Sequence, residues 1–329
     1  MIRVTKAFIL LILLHSSMTF AFVEIESFHD VVKALDRLPG NSSISIVKIG
    51  KDKREWHGDQ MHPLGSGFKL YVLAALEKRI SSGFSDWNDK YPILDEFKSL
   101  PSGVLQDQEH GTLNSLYNLA EHMIKISDNT ATDHLIHILG RSSVEEIVKK
   151  SGNRFYQKNM PFLLTNEMIK IKWACDQQVT KNYINAEEHD RREILEKVIK
   201  NIPLNAVGSN GLSIDEPTRI RDVEWFACVA DLCEIMHQLK DKNSSQIFKI
   251  LSQNTPFVVT SPQGFWKYAG FKGGNEPGVY TSTYLLQDHS DQWYALALAW
   301  HDEEHNLNGD TFFALNEKVI RALERGKIF

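Results

Sequence analysis

The chain has 329 residues, with 37 Lys and Arg against 42 Asp and Glu, a formal charge of −5, and 42% apolar residues. These values fit a globular protein with a sizeable core, as one large domain or two small ones. A mildly acidic chain without a basic cluster excludes nucleic acid as the expected partner, and three cysteines without ligand spacing exclude a zinc framework.

The first 21 residues read as an export signal. Arg3 and Lys6 form the charged start, Ala7 to Leu14 the apolar stretch, and Thr19-Phe20-Ala21 a small-x-small cleavage site. Ser16 and Ser17 end the apolar run too early for a bilayer span. The processed protein is therefore expected to be exported, periplasmic or secreted, with no stable membrane span. Ser27 to Leu38 has a helical apolar pattern that stops at Pro39-Gly40. Ser43 to Ile49 alternates as a strand, Lys51 to Lys53 reads as a turn, and Glu55 to Gln60 as a second strand.

Gly65-Ser66-Gly67-Phe68-Lys69 then opens an almost wholly apolar helix that ends at Ser81-Ser82-Gly83. Pro92 to Gly111 reads as loop, and Thr112 as the cap of a helix through Lys125 with Leu113 on its inner face. Ser127 lies just past it, and Thr130 to Leu139 forms a short helix ended by Gly140. Thr165 reads as the cap of a helix to about Gln178, with Glu167 in its first turn. A charged, mostly helical insertion follows at 180–256, containing an amphipathic helix from Trp225 to Leu239. Strands are expected at Trp266 to Lys272, Val279 to Leu286 and Gln292 to Trp300, with a closing helix from Phe312 to Leu323. Cys228 and Cys233 would point to different sides of their helix, so Cys175, Cys228 and Cys233 are expected as buried free thiols.

This segregated order implies an α+β fold. One antiparallel sheet would be built from both chain ends, 22–62 and 257–329, with a helical part at 63–179 and the insertion at 180–256. All of 22–329 would form a single catalytic domain, and a monomer is expected.

Ser66 and Lys69 stand three apart at a helix start, so they share a face, and the helix N-terminus favours developing negative charge. Ser45-Ile46-Val47-Lys48 matches the same spacing, but in a strand residues three apart point to opposite faces, which makes that copy structural. Two further pieces single out the Ser66 copy: Ser127-Asp128-Asn129 after a helix, and Lys272-Gly273-Gly274 at the end of a strand. The three in this order resemble the active-site set of the class A β-lactamases and penicillin-binding enzymes.

That resemblance implies a role for each residue. Ser66 would form an acyl-enzyme after Lys69, kept neutral by burial and by Lys272, takes its proton. Ser127 would relay the proton to the leaving nitrogen. Asn129 would bind a substrate amide and Lys272 its carboxylate. Backbone N–H groups of Ser66 and Asn275, which follows Gly274, would form the oxyanion hole. Asp128 is expected to orient backbone. No cofactor and no metal are implied. The substrate would be a small β-lactam or peptide-like amide, with a D-alanyl-D-alanine peptidase, an esterase or a non-catalytic lactam-binding protein as alternatives.

Two departures stand out. Gly273 replaces the usual hydroxyl residue after the lysine, with Thr281 or Ser282 as candidate substitutes. The stretch Ser151 to Leu164, where family lactamases carry the deacylating Glu, has no acidic residue. Glu167 reads as a helix-dipole residue rather than a substitute, and Asp215 or Glu216 remain as candidates from the insertion. His301-Asp302-Glu303-Glu304-His305 matches a metallopeptidase pattern that needs a helix, but it follows a strand. His134 and His137 are expected at the surface.

Overall fold

The computed structural model describes residues 24–255 and 264–329, so the segment read as an export signal lies outside them. Ser27 caps α1 (Phe28–Asp36), its Oγ accepting from the Asp30 N–H at 3.3 Å. The chain continues through β1 (Asn41–Lys48), β2 (Lys53–Trp56) and β3 (His62–Pro63) into a 3₁₀ turn at Gly65–Phe68 and α2 (Lys69–Ser81). β4 (Lys90–Pro92) and β5 (Leu113–Ser115) form a small ribbon before α3 (Leu116–Lys125), α4 (Asn129–Leu139) and α5 (Arg141–Lys150). α6 (Thr165–Trp173), α7 (Gln177–Asn185) and α8 (Glu188–Lys197) follow. Next come β6 (Phe226–Ala227), α9 (Val229–Asp241) and α10 (Ser245–Leu251). β7 (Trp266–Glu276), β8 (Val279–Asp288), β9 (Trp293–His301) and α11 (Gly309–Glu324) close the chain.

The main sheet has the order β2-β1-β9-β8-β7 and is antiparallel throughout, so the N-terminal strand lies against the last one, with Ile44 opposite Leu298. Its two faces differ as period-2 alternation requires. Leu296, Leu298 and Trp300 on β9 pack into a cluster with α1 and α11, while Ala295, Ala297 and Ala299 face the larger helical core. The alanines leave room for α9, which lies against β9, β1 and β8. This is the α+β architecture expected from the order of elements.

Several boundaries differ from the expectation. The cap of α3 is Ser115, whose Oγ accepts from Asn118 N–H at 3.1 Å; Thr112 precedes a strand, and Leu113 is 61% exposed. α6 stops at Trp173, where its last turn closes on Lys170 O, and its cap position is Leu164. α9 begins at Val229, because the Trp225 backbone is engaged with Leu64 and β6 pairs with β3. The helix α5 has no counterpart in the sequence expectation. Cys175, Cys228 and Cys233 are buried and unbridged, as expected.

Candidate active site

The nucleophile candidate, Ser66, lies in the 3₁₀ turn rather than inside the α-helix. In a 3₁₀ turn side chains at i and i+3 eclipse, so Ser66 and Lys69 are stacked on one side by local geometry. Remote contacts hold the turn in place. Thr281 on β8 donates its hydroxyl to Leu64 O at 2.8 Å, and Leu64 N–H donates to Trp225 O at 2.9 Å. The Trp225 ring stacks on Phe68 with centroids 3.6 Å apart. Gly65 has φ +47°, and a Cβ there would lie 2.9 Å from Asn275 N. A Cβ on Gly274 would collide with Leu64 O and Gly67 N. Only glycine at these two positions lets β7 press its backbone onto the serine turn, and this contact brings the Asn275 backbone to the serine turn.

Lys69 is fully buried, and its Nζ donates to Ser127 O at 2.6 Å and Asn129 Oδ1 at 2.7 Å. Burial and the nearby Lys272 ammonium hold it well below the ordinary lysine range. Ser127 Oγ lies between two amines, 3.1 Å from Lys69 Nζ and 3.2 Å from Lys272 Nζ. Lys272 is itself buried and is pushed down to about 7 by desolvation; it also donates to Gly273 O. The two amines and one hydroxyl can therefore exchange a proton without a carboxylate between them.

Ser127 is held in the left-handed region at φ +59°, which costs a non-glycine residue about 1 kcal/mol or more. Its carbonyl accepts from both Lys69 and Ser102 Oγ, and those bonds keep it there. Asp128 orients backbone as expected. Its Oδ2 accepts from Val104 and Leu105 N–H and its Oδ1 from Ala131 N–H, capping α4. Asn129 donates Nδ2 to Leu100 O at 2.6 Å. Lys69, Ser127, Asn129 and Lys272 thus form one connected set, with Gly274 and Asn275 against the Ser66 turn.

The glycine at 273 has a local reason. A Cβ there would lie 2.9 Å from the Phe271 ring, so a hydroxyl residue needs that buried ring to move. Neither substitute is free to replace it. Thr281 is committed to Leu64, and the Ser282 hydroxyl bonds Asn316 Oδ1 at 2.5 Å in the outer layer.

The wall at the start of α6 holds its carboxylates in other bonds. Glu167 is clasped by Arg141 through two bonds of 2.7 and 2.9 Å and accepts from Leu164 N–H at 2.8 Å. It is a capping residue, consistent with its reading as a helix-dipole group. Asp133 accepts from Thr165 N–H, Thr165 Oγ1 and Asn166 N–H at 2.6 to 2.9 Å, and burial pushes it up to about 7. Asp215 and Glu216 are exposed, and Asp215 O accepts from Asn306.

A buried charged trio escaped the sequence reading. Lys172 Nζ lies 3.2 Å from Glu224 Oε1 and 2.6 Å from Glu276 Oε1. Glu276 follows Asn275 on β7, and Glu224 precedes Trp225, so the trio ties α6 to the segments that hold the serine turn. Burial opposes charge on Lys172, but Glu276 and Glu224 outweigh it and hold the ammonium above the usual lysine range. Burial and the Glu224 charge push Glu276 up. No spacing at 172, 224 and 276 could have signalled this, because the three come together only through the fold.

The histidines also resolve. His301 ends β9 and is buried, its Nδ1 2.8 Å from His62 Nδ1, while His305 is exposed beside Asp302, so the metallopeptidase pattern is not on a helix. His134 is not at the surface. It is buried, accepting from Leu94 N–H at 2.8 Å and donating to Thr130 O at 2.7 Å, whereas His137 is exposed and stacks on Phe97. Ser45 is a strand residue bonded to Glu55.

The sheet, flanking helices and helical lobe define a β-lactamase/transpeptidase-like fold. The sequence model of the beta-lactamase enzyme family matches residues 27–314, and the chain belongs to that family. It is a hydrolase of the β-lactamase/transpeptidase type. Among solved structures it is similar to a β-lactamase from Sphaerobacter thermophilus, at 17% identity over 93% of this chain and 98% of that one, with a TM-score of 0.65. It is similar to PBP-A at 17% identity over 90% and 95%, with a TM-score of 0.61, and a point mutant of that protein is known as an acyl-enzyme complex with penicillin G. It is also similar to an ancestral class A β-lactamase at 14% identity over 91% and 98%, with a TM-score of 0.62. No curated protein sequence matches the chain significantly.

Proposed function

We propose that the protein is an exported serine hydrolase of class A pattern that acylates Ser66 with a β-lactam or a related amide. The observation that carries this reading is Lys69. It is fully buried, beside Ser127 and Asn129, and burial with the Lys272 charge shifts it well below the ordinary lysine range, the direction a general base needs.

In the proposed step, Lys69 Nζ takes the Ser66 hydroxyl proton as Oγ bonds to the substrate carbonyl carbon. The resulting oxyanion accepts from the N–H groups of Ser66 and Asn275. The proton passes from Lys69 through Ser127 Oγ to the leaving nitrogen, and the C–N bond breaks to leave the Ser66 ester. Lys272, while charged, attracts a substrate carboxylate, and Asn129 bonds the substrate amide.

Release of the acyl group needs a base for water, and Glu167 is held by Arg141 and Leu164 instead. This favours a long-lived lactam adduct, the behaviour of a penicillin-binding peptidase, over rapid lactam hydrolysis. Mixing the protein with penicillin G should give an adduct of one penicillin mass by intact-protein mass spectrometry, persisting for minutes and absent in Ser66→Ala. Lactam or ester turnover that is unchanged in Ser66→Ala sinks the scheme. Export is tested by the N-terminus of the secreted protein, which should begin after Ala21; retention of residues 1–21 would refute it.

A further inference from the structure

The face of α6 that carries Asn166, Glu167 and Lys170 lines a cavity of about 790 Å³, within the roughly 300–1,000 Å³ typical of small-molecule sites. It is separate from the catalytic cleft: Ser66, Lys69, Ser127, Asn129 and Lys272 do not line it. α6 stands between the two, because Thr165 turns its hydroxyl to Asp133 and Ser99 while Lys170 faces the cavity.

Most of the charge around this cavity is paired; among the described charged residues that line it, only the exposed Glu96 and the buried Lys170 lack an ion pair. Lys98 meets Asp95 at 2.8 Å, Arg141 meets Glu167 at 2.7 Å, Arg192 meets Glu145 at 2.9 Å and Glu188 at 2.7 Å, and Lys200 meets Glu196 at 3.0 Å. Lys170 is 7% exposed, and its ammonium has no hydrogen bond or ion pair among the described residues. The Glu167 and Asp133 charges favour its ammonium from a distance, but neither makes a direct pair with it: Glu167 is taken by Arg141 and Leu164 N–H, and Asp133 by Thr165 and Asn166. Burial accordingly depresses Lys170 below the usual lysine range. A desolvated cation without a direct ion pair is costly, and a bound anion lowers that cost. An apolar part of the wall comes from Ile136, Leu164, Leu195 and Leu204, with the stacked Phe97 and His137 rings beside it, and Asn166 and Glu96 complete the lining.

We infer that this cavity is a second binding site, distinct from the Ser66 cleft, for a small organic acid whose carboxylate pairs with Lys170 and whose apolar body lies against Ile136, Leu195 and Leu204. Because Lys170 and Thr165 stand on one helix, an occupant also braces the element that touches Asn129 through Thr165 Oγ1.

Calorimetric titration of the full chain with sodium hexanoate tests the site. Saturable binding of one hexanoate is expected, at least tenfold tighter than its neutral analogue hexanamide. Lys170→Met should weaken hexanoate at least tenfold, and Leu204→Trp, which fills the cavity from its exposed side, should do the same. Ser66→Ala and Lys272→Met should bind hexanoate as the unaltered protein does. Absence of saturable binding, equal affinity for hexanamide, or loss of binding in Lys272→Met would each overturn the site. If Lys170→Met fails to fold, the hexanamide comparison and Leu204→Trp decide alone.

Discussion

Lys69 and Lys172 are both 0% exposed, yet their surroundings drive them in opposite directions. Lys69 sits among a backbone carbonyl, a hydroxyl and an amide oxygen, with a second lysine nearby and no carboxylate in contact. Lys172 sits between two carboxylates. Desolvation, with the Lys272 charge adding to it, disfavours the charged form of the first, and two counter-charges favour it in the second. One fold thus contains a buried lysine suited to exchanging protons and another suited to holding segments together, and partner chemistry rather than depth decides which is which.

Removing each lysine should separate the two roles. Lys69→Met should slow acylation by penicillin about 10²–10⁴-fold, read as adduct formation over time, with the fold retained because Ser102 still bonds Ser127 O. Lys172→Met should do the reverse, costing about 3–5 kcal/mol of stability by denaturant unfolding, since two enclosed carboxylates lose the cation between them. Comparable stability losses in both variants would erase the distinction.

A subtler contrast concerns Lys272, buried like Lys69 but pushed only to about 7. With a lowered value the ammonium is intact below pH 7 and lost above it. The second-order rate of acylation by a carboxylate-bearing lactam should therefore fall up to about tenfold per pH unit above 7, while a neutral ester keeps its rate. Parallel profiles for both substrates would show that Lys272 does not recruit the carboxylate. The smallest effect is expected for Glu167→Gln. Adduct lifetime should change less than about twofold and stability should fall by about 1–3 kcal/mol, as Arg141 loses its bidentate partner. A lifetime prolonged tenfold would make Glu167 the deacylating base after all.

Much of this molecule was readable from residue order. β7, β8, β9 and α11 follow from short runs rich in aromatic and apolar residues and from a strong amphipathic stripe, signals that tertiary contacts reinforce. Ser66, Ser127 and Lys272 stand out in the sequence because each sits at an element boundary, where a motif has a fixed structural setting. Other features depended on contacts that no local window contains. The α3 cap moved from Thr112 to Ser115 because the intervening residues pair with β4. Trp225 left its helical pattern to bond Leu64 and stack on Phe68. The commitment of Glu167 became visible only once Arg141, on the unanticipated α5, came within reach.

The way the serine turn is anchored has a kinetic meaning. Four residues, Gly65–Phe68, depend on Trp225 from the middle of the chain and on Gly274 and Thr281 near its end, the last 217 positions from Leu64. Contacts of such sequence separation are the slow ones to form. The Ser66 turn is thereby assembled only when the strands near the chain's end have met it, and if Ser66 is the nucleophile proposed above, a half-folded chain should present no reactive serine. Penicillin capture during refolding would then time the closing event of the whole molecule, and any chain severed before β7 should stay unlabelled however much helix it regains.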